Sequence, residues 1–171
     1  MNLPFELPEI TEFSDQGYTI LGRALAYSTS YESNCKSLAM LLDVKLDHNL
    51  LRTESHLNEF LAFMQKRKLF SHIEDIIKKI NLSHSIPRIL HGGREARNFI
   101  AHESSIGVFN LFESDERDAV VKVLREKILK VAEANLVVLL LAQKITNEPV
   151  PAVSFLISYS ENIAEWLCWI E

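Results

Sequence analysis

Apolar residues recur at helical spacing between Val120 and Ile145, and they cover more than one side of the helix that they predict. A surface helix normally carries a single apolar stripe. We therefore expect this helix at the centre of the fold or in contact with a second subunit. With Ser114 as a candidate N-cap and prolines following its end, the stretch predicts a helix over about Asp115 to Thr146.

The same periodicity predicts four further helices. Residues 1–14, with Pro4 and Pro8, indicate an extended lead-in, and the run Lys66-Arg67-Lys68 marks a break or bend within the second helix. The sequence therefore predicts one all-α domain over residues 1–171, an up-and-down bundle of about five helices. The predicted bounds of the other four are Asp15 to Asp47, Glu54 to Ile80, Ile86 to His102 and Ala152 to Glu171.

The third predicted helix contains the unusual pair Gly92-Gly93. Ser85 is a candidate N-cap, and Pro87 suits a first helical turn. Two glycines inside a helix lower its stability. Either the helix kinks there or another part of the chain approaches its backbone closely.

Composition excludes several classes of protein. With 47% hydrophobic and 24% charged residues, 171 residues suffice for one soluble globular domain. Cys35 and Cys168 lack metal-ligand spacing and are expected to be reduced and buried, which fits a cytoplasmic protein. The start of the chain lacks the character of a secretory signal, and the most apolar run, Leu136 to Ala142, is too short to span a membrane.

Charge is unevenly distributed along the chain. The net charge is −5, yet residues 66–97 hold eight basic residues against three acidic ones. An acidic protein with one basic, histidine-rich face could bind a single-stranded or structured nucleic acid locally. The alternative is a solvated run of charges, and the charges alone do not separate the two.

One side of the third predicted helix carries a polar stripe. Arg94, Asn98 and His102 follow one another at intervals of four residues, and Arg97 and His91 fall on the same side. Such a set suits a phosphate, because arginine binds it bidentately and an imidazole moves protons near neutral pH. Arg94 and His91 are accordingly candidates for substrate binding. Any surface helix also shows polar residues opposite its core side, so the pattern has a purely structural interpretation as well.

The opposite flank of this helix carries Ala96, Phe99 and Ile100. We expect Phe99 and Ile100 to be buried while Arg94 and Asn98 line a cleft, and Glu32 and Arg23 of the first helix are candidates for supporting the stripe. Arg97 and His102 are about 140° apart on an ideal helix. They converge only if the helix ends or distorts near Ala101, or if each acts with residues of a second chain.

The segment from Arg97 to His102, Arg-Asn-Phe-Ile-Ala-His, resembles the signature of the HEPN superfamily, an Arg followed by a polar residue and, four to six positions after the Arg, a His. The resemblance implies a small all-α bundle whose two motifs meet in a cleft at a homodimer interface. It also implies that Arg97 stabilises charge on a phosphate, that Asn98 is the accompanying polar residue, and that His102 is the acid or base. Many members of the superfamily resemble ribonucleases of toxin–antitoxin systems, so the implied partners are RNA and a cognate antitoxin protein.

The sequence lacks the motifs of several other kinds of active site. The sequence contains no Gly-rich phosphate loop, no zinc-type spacing of Cys or His, and no Gly-x-Ser-x-Gly, so we expect no metal and no cofactor. Two hypotheses remain. The first is a metal-independent endoribonuclease that cuts RNA by attack of a 2′-hydroxyl group. The second is a non-catalytic all-α dimer, a regulatory, repressor-like or antitoxin-like binding module.

Overall fold

The computed structural model describes residues 9–46, 53–108 and 111–170. Within these ranges the chain forms six α-helices and one short 3-10 helix, without a strand, which confirms the all-α prediction. The expected number of about five helices is corrected to six. The helices are α1 (Glu12–Leu46), α2 (Glu54–Lys66), α3 (Leu69–Ile80), α4 (Ser85–His102), the 3-10 helix (Ser104–Gly107), α5 (Ser114–Thr146) and α6 (Val153–Cys168).

The sixth helix arises because the second predicted helix is two helices. Arg67 and Lys68 adopt extended backbone conformations, with ψ near 144° and 153°, so the chain breaks at the basic triplet. The Arg67 guanidinium then bonds to the Asp75 carboxylate and donates to the Ser71 carbonyl at 3.1 Å. These bonds fasten the break between α2 and α3 to the first turns of α3, which accounts for its position at Arg67.

Three predicted helix starts are corrected. α1 begins at Glu12, inside the expected lead-in 1–14, because Thr11 and Ser14 exchange side chain–backbone hydrogen bonds at 2.9 and 3.1 Å. Residues 1–8 lie outside the described residues. So do residues 47–52, between α1 and α2.

The expected serine caps of α4 and α5 are wrong. Ser85 is the first residue of α4, with His84 in the cap position and no side-chain capping bond. Before α5, Glu113 is the cap, and it forms a reciprocal capping box with Glu116. A carboxylate at this position also favours the positive end of the helix dipole.

α5 lies at the centre of the fold, as its apolar composition predicted. It packs against α1, α4 and α6, while α1 also packs against α3 and α4. Near the end of α6, Leu167 is buried, whereas Trp166 and Trp169 are exposed. Fully buried core residues include Ile20, Tyr31, Leu38, Ile73, Ile76, Leu90, Leu124, Ile128 and Leu167.

The two glycines of α4 have different surroundings. A Cβ atom on Gly93 would lie 2.3 Å from the Cβ of Ala134 on α5 and 3.2 Å from the ring of Tyr31 on α1, whereas a Cβ on Gly92 would meet nothing within 4 Å. The Tyr31 hydroxyl donates to the Leu90 carbonyl at 2.8 Å. Close approach by two neighbouring helices therefore accounts for Gly93, and α4 continues through it.

Both cysteines are free. Cys35 is buried as predicted, and burial raises the pKa of its thiol to about 12, while Cys168 is half-buried. Across the described ranges, none of the helices is both long and apolar enough to cross a lipid bilayer.

Candidate functional site

Three of the five predicted site residues share one cavity. This cavity has a volume of about 270 Å³ and lies where α4 meets α1 and the first turn of α3. It brings together Arg94, Arg97 and Asn98, as the helical wheel predicted for Arg94 and Asn98. The full lining is Glu32, Lys68, Leu69, Phe70, Arg94, Arg97 and Asn98, and we refer to it as the arginine cavity.

Arg97 is oriented by an ion pair across two helices. Its Nη2 donates to the Glu32 carboxylate of α1, and its Nη1 donates to the Asn98 side-chain oxygen at 3.3 Å. Glu32 therefore supports the stripe, whereas Arg23 donates instead to the Trp169 carbonyl at 2.6 Å. A guanidinium has five N–H donors, so Arg97 keeps donors for an additional anion while Glu32 fixes its direction.

Arg94 is less fully engaged. Its Nη2 contacts the exposed Glu95 carboxylate at 3.2 Å, and its guanidinium carbon lies 5.6 Å from the centre of the Phe70 ring. Its Nε is buried, and no described residue accepts a hydrogen bond from it. The outer nitrogens of the partly exposed guanidinium therefore have Glu95 as their only hydrogen-bond partner among the described residues, which leaves donors for a ligand oxygen.

His91 lies beside the arginine cavity and is not part of its lining. Its Nε2 is 3.0 Å from the Glu74 carboxylate, and its ring centre is 5.7 Å from that of Phe70. His91 therefore contacts α3 through two side chains. This position puts it next to Phe70, on the side of α4 that faces α3.

The fold of one chain does not bring the His102 and Arg97 side chains together. It is exposed at the end of α4, and its ring makes no hydrogen bond or ion pair with any described residue. The helix runs unbroken to this point, and the Glu103 N–H continues its bonding by donating to the Phe99 carbonyl at 2.9 Å. α4 does end close to Ala101, at His102, but it stays regular up to that residue, so its end does not turn His102 toward Arg97.

Phe99 corrects the predicted burial of the apolar flank. Ile100 is buried as expected, but Phe99 is only half-buried, at the edge of the contact between α4 and α5. The ammonium of Lys127 lies 4.6 Å from the centre of its ring. Phe99 thus lies across α4 from Arg97, beside an apolar groove that Val120 and Val123 also line.

The sequence did not single out the contribution of α3. Lys68 and Phe70 lie in the cavity lining although they precede the motif by more than twenty residues. The basic triplet was a signal for Lys68, but nothing in the sequence marked Phe70. Lys68, Arg94 and Arg97 outnumber Glu32, and the N-terminal end of α3, which carries positive partial charge, lies in the same lining.

The arginine cavity thus combines three cationic side chains, one carboxylate and an aromatic ring at one side. Groups of three or more His, Cys, Asp or Glu side chains placed to hold a metal ion do not occur among the described residues. Comparison of the chain with protein-family models, curated protein sequences and solved structures found no match.

Proposed function

We propose that the protein is a metal-independent endoribonuclease of HEPN type, in which the Arg97 and His102 residues of two protomers form one cleft. The observation that supports this most is that Arg97 and His102 lie on different sides of α4. Its arginine side lies in a cavity suited to a phosphate, while the ring of His102 is exposed and has no hydrogen-bond or ion-pair partner among the residues that the structure describes.

The proposed reaction needs three tasks from these side chains. His102 removes the proton from the 2′-hydroxyl or donates one to the departing 5′-oxygen. Arg97 stabilises the charge that develops on the phosphorane. Asn98, hydrogen-bonded to Arg97, helps to orient it, and Arg94 binds a phosphate oxygen through the exposed end of its guanidinium.

Two chains are required because α4 is regular. On an ideal helix, side chains five residues apart diverge by about 140°, so one phosphate cannot reach both Arg97 and His102 of the same chain. A twofold dimer that pairs α4 with its copy would bring Arg97 of one protomer to His102 of the other. The same arrangement would cover part of the exposed end of α4.

The second candidate function is a non-catalytic binding module, regulatory, repressor-like or antitoxin-like. The observation that favours it is the ion pair between Arg97 and Glu32, which already neutralises one arginine and joins α1 to α4. In that case the motif stabilises the bundle, and the cavity binds an anion without reaction.

A cleavage assay separates the two. Purified protein is incubated with a structured RNA in the presence of EDTA, and the products are examined for 2′,3′-cyclic phosphate ends. We expect cleavage by the wild type, none by His102→Ala, and a loss on the order of 100-fold for Arg97→Ala, which is typical when one charge-stabilising donor is removed. Asn98→Ala should be milder.

The matched control is His56→Ala, because His56 is also an exposed histidine but lies on α2. It should cut as the wild type does. Wild-type protein that leaves RNA intact, after removal of any bound partner, would favour the binding module. Cleavage that disappears with EDTA yet persists in His102→Ala would assign the activity to another site.

A further inference from the structure

Phe70 is an exposed aromatic side chain beside a group of cations. It is 50% exposed in the first turn of α3, and it belongs to the lining of the arginine cavity. Two α4 side chains contact its ring, the Arg94 guanidinium at 5.6 Å and the His91 ring at 5.7 Å with planes tilted by 36°. The ring is thus held in place while half of the residue stays accessible.

A second exposed phenylalanine of the chain also has an arginine beside its ring. Phe63 on α2 is 59% exposed, and the guanidinium of Arg67 lies 5.4 Å from its ring centre. Arg67, however, is engaged by Asp75 and the Ser71 carbonyl. Phe63 therefore has the same ring and the same type of neighbour without a cavity of available cations.

The cations next to Phe70 are placed for a phosphate. The Arg94 side chain has only the exposed Glu95 as a hydrogen-bond partner among the described residues, and the exposed ammonium of Lys68 makes no hydrogen bond or ion pair with any of them. Arg97 adds a third positive group, held by Glu32. Available donors and an accessible aromatic ring therefore lie within the span of a single nucleotide.

We propose that Phe70 stacks on an unpaired base of single-stranded RNA, while Arg94, Lys68 and Arg97 bind the adjoining phosphate. Single-stranded nucleic acid is typically bound in this way, by basic groups that follow the backbone and aromatic rings that stack on bases. A base inside a duplex is already stacked and paired, so it offers no free face. A cavity of about 270 Å³ is small for a ligand pocket, which fits one nucleotide.

This inference rests on the proposed function for the identity of the nucleic acid, but it is tested by binding alone. An end-labelled, single-stranded oligoadenylate is titrated with protein carrying His102→Ala, so that no cleavage occurs, and its anisotropy is measured. We expect Phe70→Ala to weaken binding roughly tenfold to 100-fold, the loss of one base–aromatic stack. Phe70→Tyr should retain binding, because it keeps an aromatic face.

Phe63→Ala in the same background is the control and should bind like its parent. The duplex form of the oligonucleotide should bind more weakly and should not respond to Phe70→Ala. A Phe70→Trp variant gives a second measurement, since stacking of a base on the new indole should quench more fluorescence than in the parent protein. Circular dichroism verifies that each variant is folded.

The proposal is overturned if the single strand does not bind, if Phe70→Ala binds as well as its parent, or if Phe63→Ala costs as much. Binding to a protein in place of RNA would appear as the first of these outcomes. Failure of the nuclease proposal gives a different pattern. Binding that depends on Phe70 without any cleavage rejects the nuclease alone, while cleavage that depends on His102 but not on Phe70 rejects the stacking site alone.

Discussion

Replacing Gly92 and Gly93 by alanine, one at a time, tests how α4 is docked. Both are interior positions of the same helix, one residue apart, and neither has a positive φ. Alanine is favoured over glycine in a helix by about 1 kcal/mol. Because a new methyl at Gly92 meets nothing within 4 Å, Gly92→Ala should stabilise the protein by roughly that amount.

Gly93→Ala receives the same helix-propensity gain but adds a clash. Its Cβ would lie 2.3 Å from the Cβ of Ala134, and both atoms are fixed to helix backbones, so relief requires α4 to move away from α5. Overpacking of a core costs about 1–3 kcal/mol, and a rigid contact this short belongs at the upper end. The propensity gain cancels between the two variants, so their stabilities should differ by about 3 kcal/mol, or roughly 10 °C in melting temperature.

Urea denaturation followed by circular dichroism measures both variants, and Ala134→Gly completes a double-mutant cycle. Ala134→Gly alone should cost about 1 kcal/mol through helix propensity. Combined with Gly93→Ala it removes the Ala134 methyl but leaves the 3.2 Å approach to Tyr31, so the double variant should be more stable than the sum of the two effects by about 2 kcal/mol of the 3. Equal stability of Gly92→Ala and Gly93→Ala, or strict additivity in the cycle, would refute this account of the α4–α5 contact.

Two further predictions concern the proposed dimer and the acid stability of the fold. Inactive Arg97→Ala and inactive His102→Ala proteins, refolded together, should regain about one quarter of wild-type cleavage. Half of the dimers would be mixed, and one of the two Arg–His pairs in each mixed dimer would be intact. No recovery would argue against pairing across chains. The pKa of buried His72 is lowered below 6.5, first by burial and then by Arg67 and Lys36, so below about pH 6.5 the unfolded chain takes up a proton that the native state does not. The free energy of unfolding should therefore fall as the pH is lowered through about 6.5, and His72→Leu should flatten this dependence in urea titrations.

The helices were largely predictable because apolar residues recur at helical spacing within each of them. The bounds of α1, α4 and α5 were each predicted within three residues, since apolar spacing is a local property. The starts were less accurate, because caps depend on which nearby side chain reaches the free N–H groups. Glu113 and Glu116 satisfy those groups before α5, and the expected Ser114 does not cap the helix.

Only the α4 side of the cavity was fully predictable. Arg94, Arg97 and Asn98 belong to one helix, and a helical wheel finds such a group directly. Glu32 was one of two candidates on α1, and spacing along the chain does not decide between it and Arg23. Nothing marked Phe70, because its position follows from how α3 packs on α4. The burial predicted for Phe99 was wrong for the same reason, since this ring lies at the edge of a contact whose extent is set by the neighbouring helix.

The rotation of α4 about its own axis therefore decides in which directions Arg97 and His102 point. Gly93, Ala96 and Ile100 are its buried residues toward α5 and the core, and the bond from Tyr31 to the Leu90 carbonyl ties it to α1. With that side fixed, Arg97 must face Glu32, and His102 must face solvent. A methyl group at Gly93 would disturb this rotation before it touched any polar residue of the site. The close contact at Gly93 thus sets the direction in which Arg97 points.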